Sequence, residues 1–232
     1  MKFVLIPGAW LGAWAWKKVV PFLEEKRHEA YPVTLTGMAD RVHLASKDLG
    51  METAIDDVLN IIRYNGLDGV SLVGHSFAGK VATVVSDRAH DRVTKTIYLD
   101  AFRPDTEPTP QGGFDPANEF GALPPGGFAF PLTEKTVDAI GKDVTGETRT
   151  WFMKMATPWP EKMAKDTLTV SKDYDWGKEA YIFCTLAGDP VDDIIAGKWG
   201  RLNGPYRKME TGHWPMITKP EELAENLIAL SE

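Results

Sequence analysis

The sequence predicts an α/β fold, a mostly parallel sheet flanked by helices, and three observations carry that expectation. Short apolar runs alternate with helix-period segments through the first hundred residues. A Gly-x-Ser-x-Ala-Gly turn sits between one such run and one such helix. After Asp100 the rhythm breaks into a stretch rich in proline and glycine and resumes near residue 180.

Each element has its own reason. Phe3-Val-Leu-Ile6 is a continuous apolar run, as a strand covered on both faces requires. Residues 8–12 read as a loop and residues 14–25 as a helix, with Pro21 a kink or break. Residues 29–35 are a second strand. Ile55, Val58, Leu59 and Ile62 recur at i, i+3, i+4, i+7, which predicts an amphipathic helix over 53–63. A buried strand at 69–73, a helix at 77–89 and a strand at 94–99 follow. Strands separated by helices imply βαβ units. The stretch from 104 to about 130 holds Pro104, Pro108, Pro110, Pro116, Pro124 and Pro125 and is irregular. Helices at 147–156 and 160–170 come next. The closing elements are a strand at 180–186, a helix at 193–199, a strand at 205–210 and a helix at 220–230. The expected organisation is a core over 1–103, a cap insertion over 104–178 above the sheet ends, and the rest of the core over 179–232.

Composition narrows the function classes. The 232 residues suit one domain, and 43% hydrophobic with 25% charged residues is ordinary for a globular chain. A net charge of -7 repels phosphate backbones, so nucleic acid is not an expected partner. Cys184 is the single cysteine, so no internal disulfide forms, and its apolar neighbours make it a buried strand residue. Lys2, the apolar residues 3–16 and Ala13-Trp14-Ala15 imitate a signal peptide, but Pro7, Gly8 and Gly12 interrupt the run. No run has the length of a membrane span. A cytoplasmic protein without membrane contact is expected. A metal is not expected either, because no His/Asp/Glu cluster has ligand spacing.

The chemistry centres on Gly74-His75-Ser76-Phe77-Ala78-Gly79. A sharp strand-to-helix turn leaves a serine oxygen exposed at the sheet edge, and it needs small residues two positions either side. Gly74 supplies one; Ala78 replaces the commoner glycine at the other. The helix N-terminus favours a developing negative charge. Ser76 is therefore the candidate nucleophile. Of the five histidines, only His213 follows it at a distance in a loop after a predicted strand, with Gly212 allowing the bend. It is the candidate general base. The third member is expected between them in the chain. Asp189, first after the 180–186 strand, is the expected acid, ahead of Asp192 and Asp193, which suit the start of the next helix.

Two N–H donors must meet the oxyanion. The amides of Phe77 and Ala9 are the candidates, with Gly8 permitting close approach. Taken together, residues 3–16 with Pro7-Gly-Ala-Trp10, the Gly74–Gly79 turn, Tyr98-Leu-Asp-Ala-Phe102 and Thr211-Gly-His-Trp214 resemble one group within the α/β-hydrolase fold. The chain looks like a bacterial relative of the plant methylesterase and hydroxynitrile lyase family, which also includes bacterial esterases. That resemblance implies a six-stranded parallel sheet, a small helical cap, no cofactor and frequent dimers. It carries the functional positions over as Ser76, Asp189, His213, Ala9 and Phe77. Family esterases usually have His-Gly where this chain has Pro7-Gly8. Lyase members have threonine at the position of Gly8 and lysine after the catalytic histidine, where this chain has Trp214. Both differences favour hydrolysis.

The leading expectation is a carboxylesterase for small apolar or aromatic esters. Candidate substrate-binding residues are Gly8, Trp10, His75, Phe102, Trp151 and Trp214, with Phe128, Phe130 and Trp159 as further aromatics near the pocket. A carbamate, amide or lactone hydrolase uses the same residues. A lyase-like or non-catalytic binding member of the fold is the remaining alternative.

Overall fold

A computed structural model describes residues 1–101, 123, 126–189, 191 and 202–232. Six strands form the main sheet: β1 (Lys2–Ile6), β2 (Glu29–Pro32), β3 (Val70–His75), β4 (Val93–Leu99), β7 (Glu179–Cys184) and β8 (Tyr206–Met209). Their order is β2-β1-β3-β4-β7-β8, and every pairing is parallel. β5 (Ala129–Phe130) and β6 (Trp159–Pro160) make a separate antiparallel ribbon. Phe3 to Ile6 and Val70 to His75 are buried throughout, which is why those runs lack polar alternation.

The helices are α1 (Val20–Glu25), α2 (Met51–Tyr64), α3 (Ala78–Arg88), α4 (Glu134–Ile140), α5 (Gly146–Met155), α6 (Glu161–Lys165), α7 (Pro215–Thr218) and α8 (Pro220–Ser231). α2 buries Met51, Ala54, Ile55, Val58 and Ile62 along one stripe, as its spacing requires. The segment expected as one helix over 14–25 divides in two. A 3-10 turn spans Ala13–Trp16, and α1 begins afresh with Pro21 in its first turn, where a missing N–H costs nothing. Of the two expectations for Pro21, kink or break, the structure shows the break, with Pro21 in the first turn of the new helix. β2 stops at Pro32, although the Val33 amide still donates to the Leu5 carbonyl at 3.0 Å. The helix expected over 160–170 shortens to α6. The helix expected at 193–199 lies outside the described residues, as do most of 104–130.

The strand order fixes where a site can form. From β1 the chain passes to β2 on one side and then returns to β3 on the other. The loops leaving β1 and β3 diverge, and a crevice opens at the carboxyl ends of those two strands. β1 and β3 run in register up to Ile6 and Gly74, so Gly8 and Ser76 emerge side by side.

Candidate active site

Ser76 holds a left-handed backbone conformation, φ 57°, between strand β3 and helix α3. Its amide donates to the Leu99 carbonyl at 3.1 Å, which anchors the turn to the neighbouring strand. A side chain at Gly74 would lie 2.6 Å from the Ala78 carbonyl oxygen and 2.9 Å from the Ala82 methyl, so only glycine fits there. Ala78 itself is fully buried without conflict. Ser76 is partly exposed while its neighbours on both sides are buried. A strained serine offered to solvent at a sheet edge is the geometry of a nucleophile elbow.

The structure pairs His213 with Asp100. His213 Nδ1 lies 2.5 Å from Asp100 Oδ2, with both side chains largely buried. The other carboxylate oxygen accepts from the Cys184 amide at 3.1 Å, and the Asp100 amide donates to the Ile182 carbonyl at 2.7 Å. Asp100 is thus clamped between β4 and β7, in a left-handed conformation of its own with φ 45°. Leu99 pairs with His75 in the sheet, so Asp100 and Ser76 leave adjacent strands at the same level.

Asp189 does not meet His213, and the expectation that it orients the imidazole is corrected. Its carboxylate binds Lys208 Nζ at 2.6 Å and caps the Val191 amide at 3.1 Å, with 40% of the side chain exposed. Lys208 beside it, then the Val191 amide, hold its carboxyl below the usual range. A carboxylate already committed to a surface lysine on β8 is turned away from the His213 loop. Asp192 and Asp193 lie outside the described residues. The signal for Asp100 was present in Tyr98-Leu-Asp-Ala-Phe102: an aspartate directly after a buried strand, also between Ser76 and His213 in chain order.

The loop after β1 presses against the elbow. A Cβ on Gly8 would lie 2.4 Å from His75 Nδ1 and 3.0 Å from Ser76 Cβ. Trp10 follows with φ 67°, its indole N–H donating to the Phe130 carbonyl at 2.9 Å and its carbonyl accepting from Thr157 at 3.0 Å. These bonds tie the loop to the β5–β6 ribbon. Among the described residues, the amides of Ala9 and Phe77 donate to no main-chain carbonyl.

The expected substrate-binding residues part company. Trp10 and Phe77 pack against Trp159, ring centroids 6.1 and 4.8 Å apart, in a buried aromatic cluster beside the elbow. His75 is fully buried and bonds protein instead of facing solvent. Trp214 is also fully buried, its ring 4.7 Å from Phe152 and edge-on to His213 at 5.6 Å, so it packs behind the imidazole. Trp151 is 39% exposed and stacks edge-on against Trp14 at 5.3 Å. It lines a shallow outer groove with Lys18, Glu147 and Thr148. Phe102 lies outside the described residues.

This fold, with a strained serine at the switch crevice and a buried imidazole–carboxylate pair beside it, defines a class of hydrolytic enzymes. The chain belongs to the alpha/beta hydrolase family, whose model matches residues 3–226. It is a hydrolytic enzyme related to the plant methylesterases. It is 31% identical to a carbendazim hydrolyzing esterase of Nocardioides sp. (strain SG-4G), covering 99% of both chains. It is 26% identical to methylesterase 2 of Arabidopsis thaliana, over 99% of this chain and 95% of that one. An extracellular alpha/beta-hydrolase from a Paenibacillus species superposes with a TM-score of 0.80 at 21% identity, covering 99% and 98% of the two chains.

Proposed function

We propose that this enzyme is a carboxylesterase that cleaves small apolar or aromatic esters through an acyl-enzyme on Ser76. The observation that carries the reading is the Asp100–His213 pair, 2.5 Å apart, at the strand end next to the strained serine. His213 Nε2 takes the Ser76 proton as Oγ bonds to the ester carbonyl carbon. Asp100 holds the Nδ1–H tautomer and stabilises the imidazolium that forms. The Ala9 and Phe77 amides receive the oxyanion. Collapse of the tetrahedral adduct breaks the carbon–oxygen bond, and the departing alkoxide takes the proton from His213. Water then repeats the sequence on the acyl-enzyme, giving the acid and free Ser76. The buried aromatic cluster of Trp10, Phe77 and Trp159 next to the elbow makes its surroundings apolar, which supports an apolar or aromatic substrate.

The lyase alternative loses support at Gly8. A threonine there would drive its Cβ to 2.4 Å from the buried His75 ring. A methyl carbamate is the second reading, favoured by the likeness to the carbendazim hydrolyzing esterase. Methyl esters and methyl carbamates expose the same acyl carbon to the same serine. Ser76→Ala is expected to lower turnover of short p-nitrophenyl esters by about 10⁴-fold or more with an unchanged circular dichroism spectrum. Parental turnover in that variant overturns the assignment.

A further inference from the structure

His75 stands between Gly74 and the serine, yet it touches no open surface. Its Nε2 lies 2.7 Å from the main-chain carbonyl oxygen of His213. A carbonyl only accepts, so Nε2 carries the hydrogen and Nδ1 is bare in the neutral ring. Among the described residues Nδ1 is buried without a hydrogen-bond partner, and it faces Gly8, where no Cβ fits. The ring therefore sits in a closed seat, its centroid 4.6 Å from that of His213.

We propose that His75 is a positioning residue: its Nε2–H grips the His213 carbonyl and thereby sets the distance from the imidazole to the serine beside it in the chain. The proposal rests on the esterase reading above. The base is held at three atoms. Its Nδ1 meets Asp100, its amide donates to the Ile140 carbonyl at 2.8 Å, and its carbonyl accepts from His75. Of these partners His75 alone belongs to the elbow that carries Ser76, so it links nucleophile and base through one rigid ring. Burial, and then the neighbouring His213, push the His75 pKa well below 6.5. A ring kept neutral adds no positive charge next to an imidazole that must itself become cationic during the reaction.

Two amide side chains of differing reach separate this role from mere packing. In His75→Gln the terminal NH₂ stands near the Nε2 position and restores the donor. In His75→Asn it stands near Nδ1, on the side that has no partner. With p-nitrophenyl butyrate as probe, the Asn variant is expected to lose about 100-fold in kcat with KM changed by less than about twofold, while the Gln variant stays within about fivefold of the parent. Labelling of Ser76 by a fluorophosphonate should slow in the same order. Equal kcat values for the two variants overturn the role. A variant that fails to fold leaves ¹⁵N imidazole spectroscopy of the parent to decide. His75 should show a protonated Nε2 and a bare Nδ1, unchanged from about pH 8 to about pH 5.5. A protonated Nδ1 or a titrating ring overturns the proposal. Ser76→Ala separates the two readings: activity there sinks the serine mechanism itself, whereas an inactive Ser76→Ala beside a fully active His75→Asn sinks only the positioning role.

Discussion

Two aspartates meet the same description in the primary sequence, and their surroundings divide them. Asp100 and Asp189 each follow a buried strand and each lies between Ser76 and His213. Asp100 faces the imidazole and takes a main-chain amide on its second oxygen, so both oxygens are fixed. Asp189 is bound to a lysine at the surface. Asp100→Asn is therefore expected to reduce kcat by about 10³ to 10⁴, because the amide favours the wrong tautomer of His213. Asp189→Asn should stay within a few-fold of the parent, since an exposed ion pair contributes little. Steady-state kinetics of the two variants side by side checks both expectations, and a larger loss in the Asp189 variant reverses the assignment.

Among elements, the loop after β8 depends on the segment between β4 and β7. The turn that ends α4 grips it from one side. Ile140 accepts from the His213 amide, and Asp143 accepts from the Thr211 hydroxyl at 2.6 Å. Gly212 passes so close that a Cβ would lie 2.4 Å from Asp143 Oδ1, and Gly141 fits under the Trp214 ring for the same reason. Gly212, which the sequence offers as a source of bend, is needed for close approach. Thr211 is fully buried, so Thr211→Val leaves the Asp143 carboxylate without that donor at almost constant volume. It should cost about 1–3 kcal/mol in urea unfolding and lower kcat several-fold as the His213 loop loosens. A variant as stable and as active as the parent shows that this contact does not hold the loop.

For the whole molecule, the sheet order gathers the candidate site at one rim. β1, β3 and β4 are consecutive in the sheet, and their carboxyl ends deliver Gly8, Ser76 and Asp100 in turn. No helix among the described residues is long and apolar enough to cross a membrane. Cys184 ends β7, only 4% exposed, and burial with the nearby Asp100 and Asp143 carboxylates pushes its thiol well above the usual range. It is expected to resist a disulfide reagent such as DTNB in the native protein, reacting only as fast as the sheet opens, and to react at once in denaturant. Rapid native labelling would show that β7 opens on its own.

The alternation of elements, the elbow at Ser76, the loop position of His213 and the family are all legible along the chain, because those signals are local. A buried strand, an i, i+4 stripe and a Gly-x-Ser-x-Ala turn are each written within about a dozen residues. Pro21 marks a kink or a break in the sequence, and the structure takes the break; a proline inside a helix pattern and one at its first turn look alike along the chain, so only the fold chooses between them. Which aspartate meets His213 is decided only in three dimensions. Chain order admits both Asp100 and Asp189, and which one faces His213 depends on β4 lying next to β3 with β7 one strand beyond. The fates of Trp151, Trp214 and His75 were likewise beyond local reading. An aromatic ring has the same composition whether it packs on the outer surface, behind an imidazole or against the His213 loop, and only tertiary packing assigns it a side.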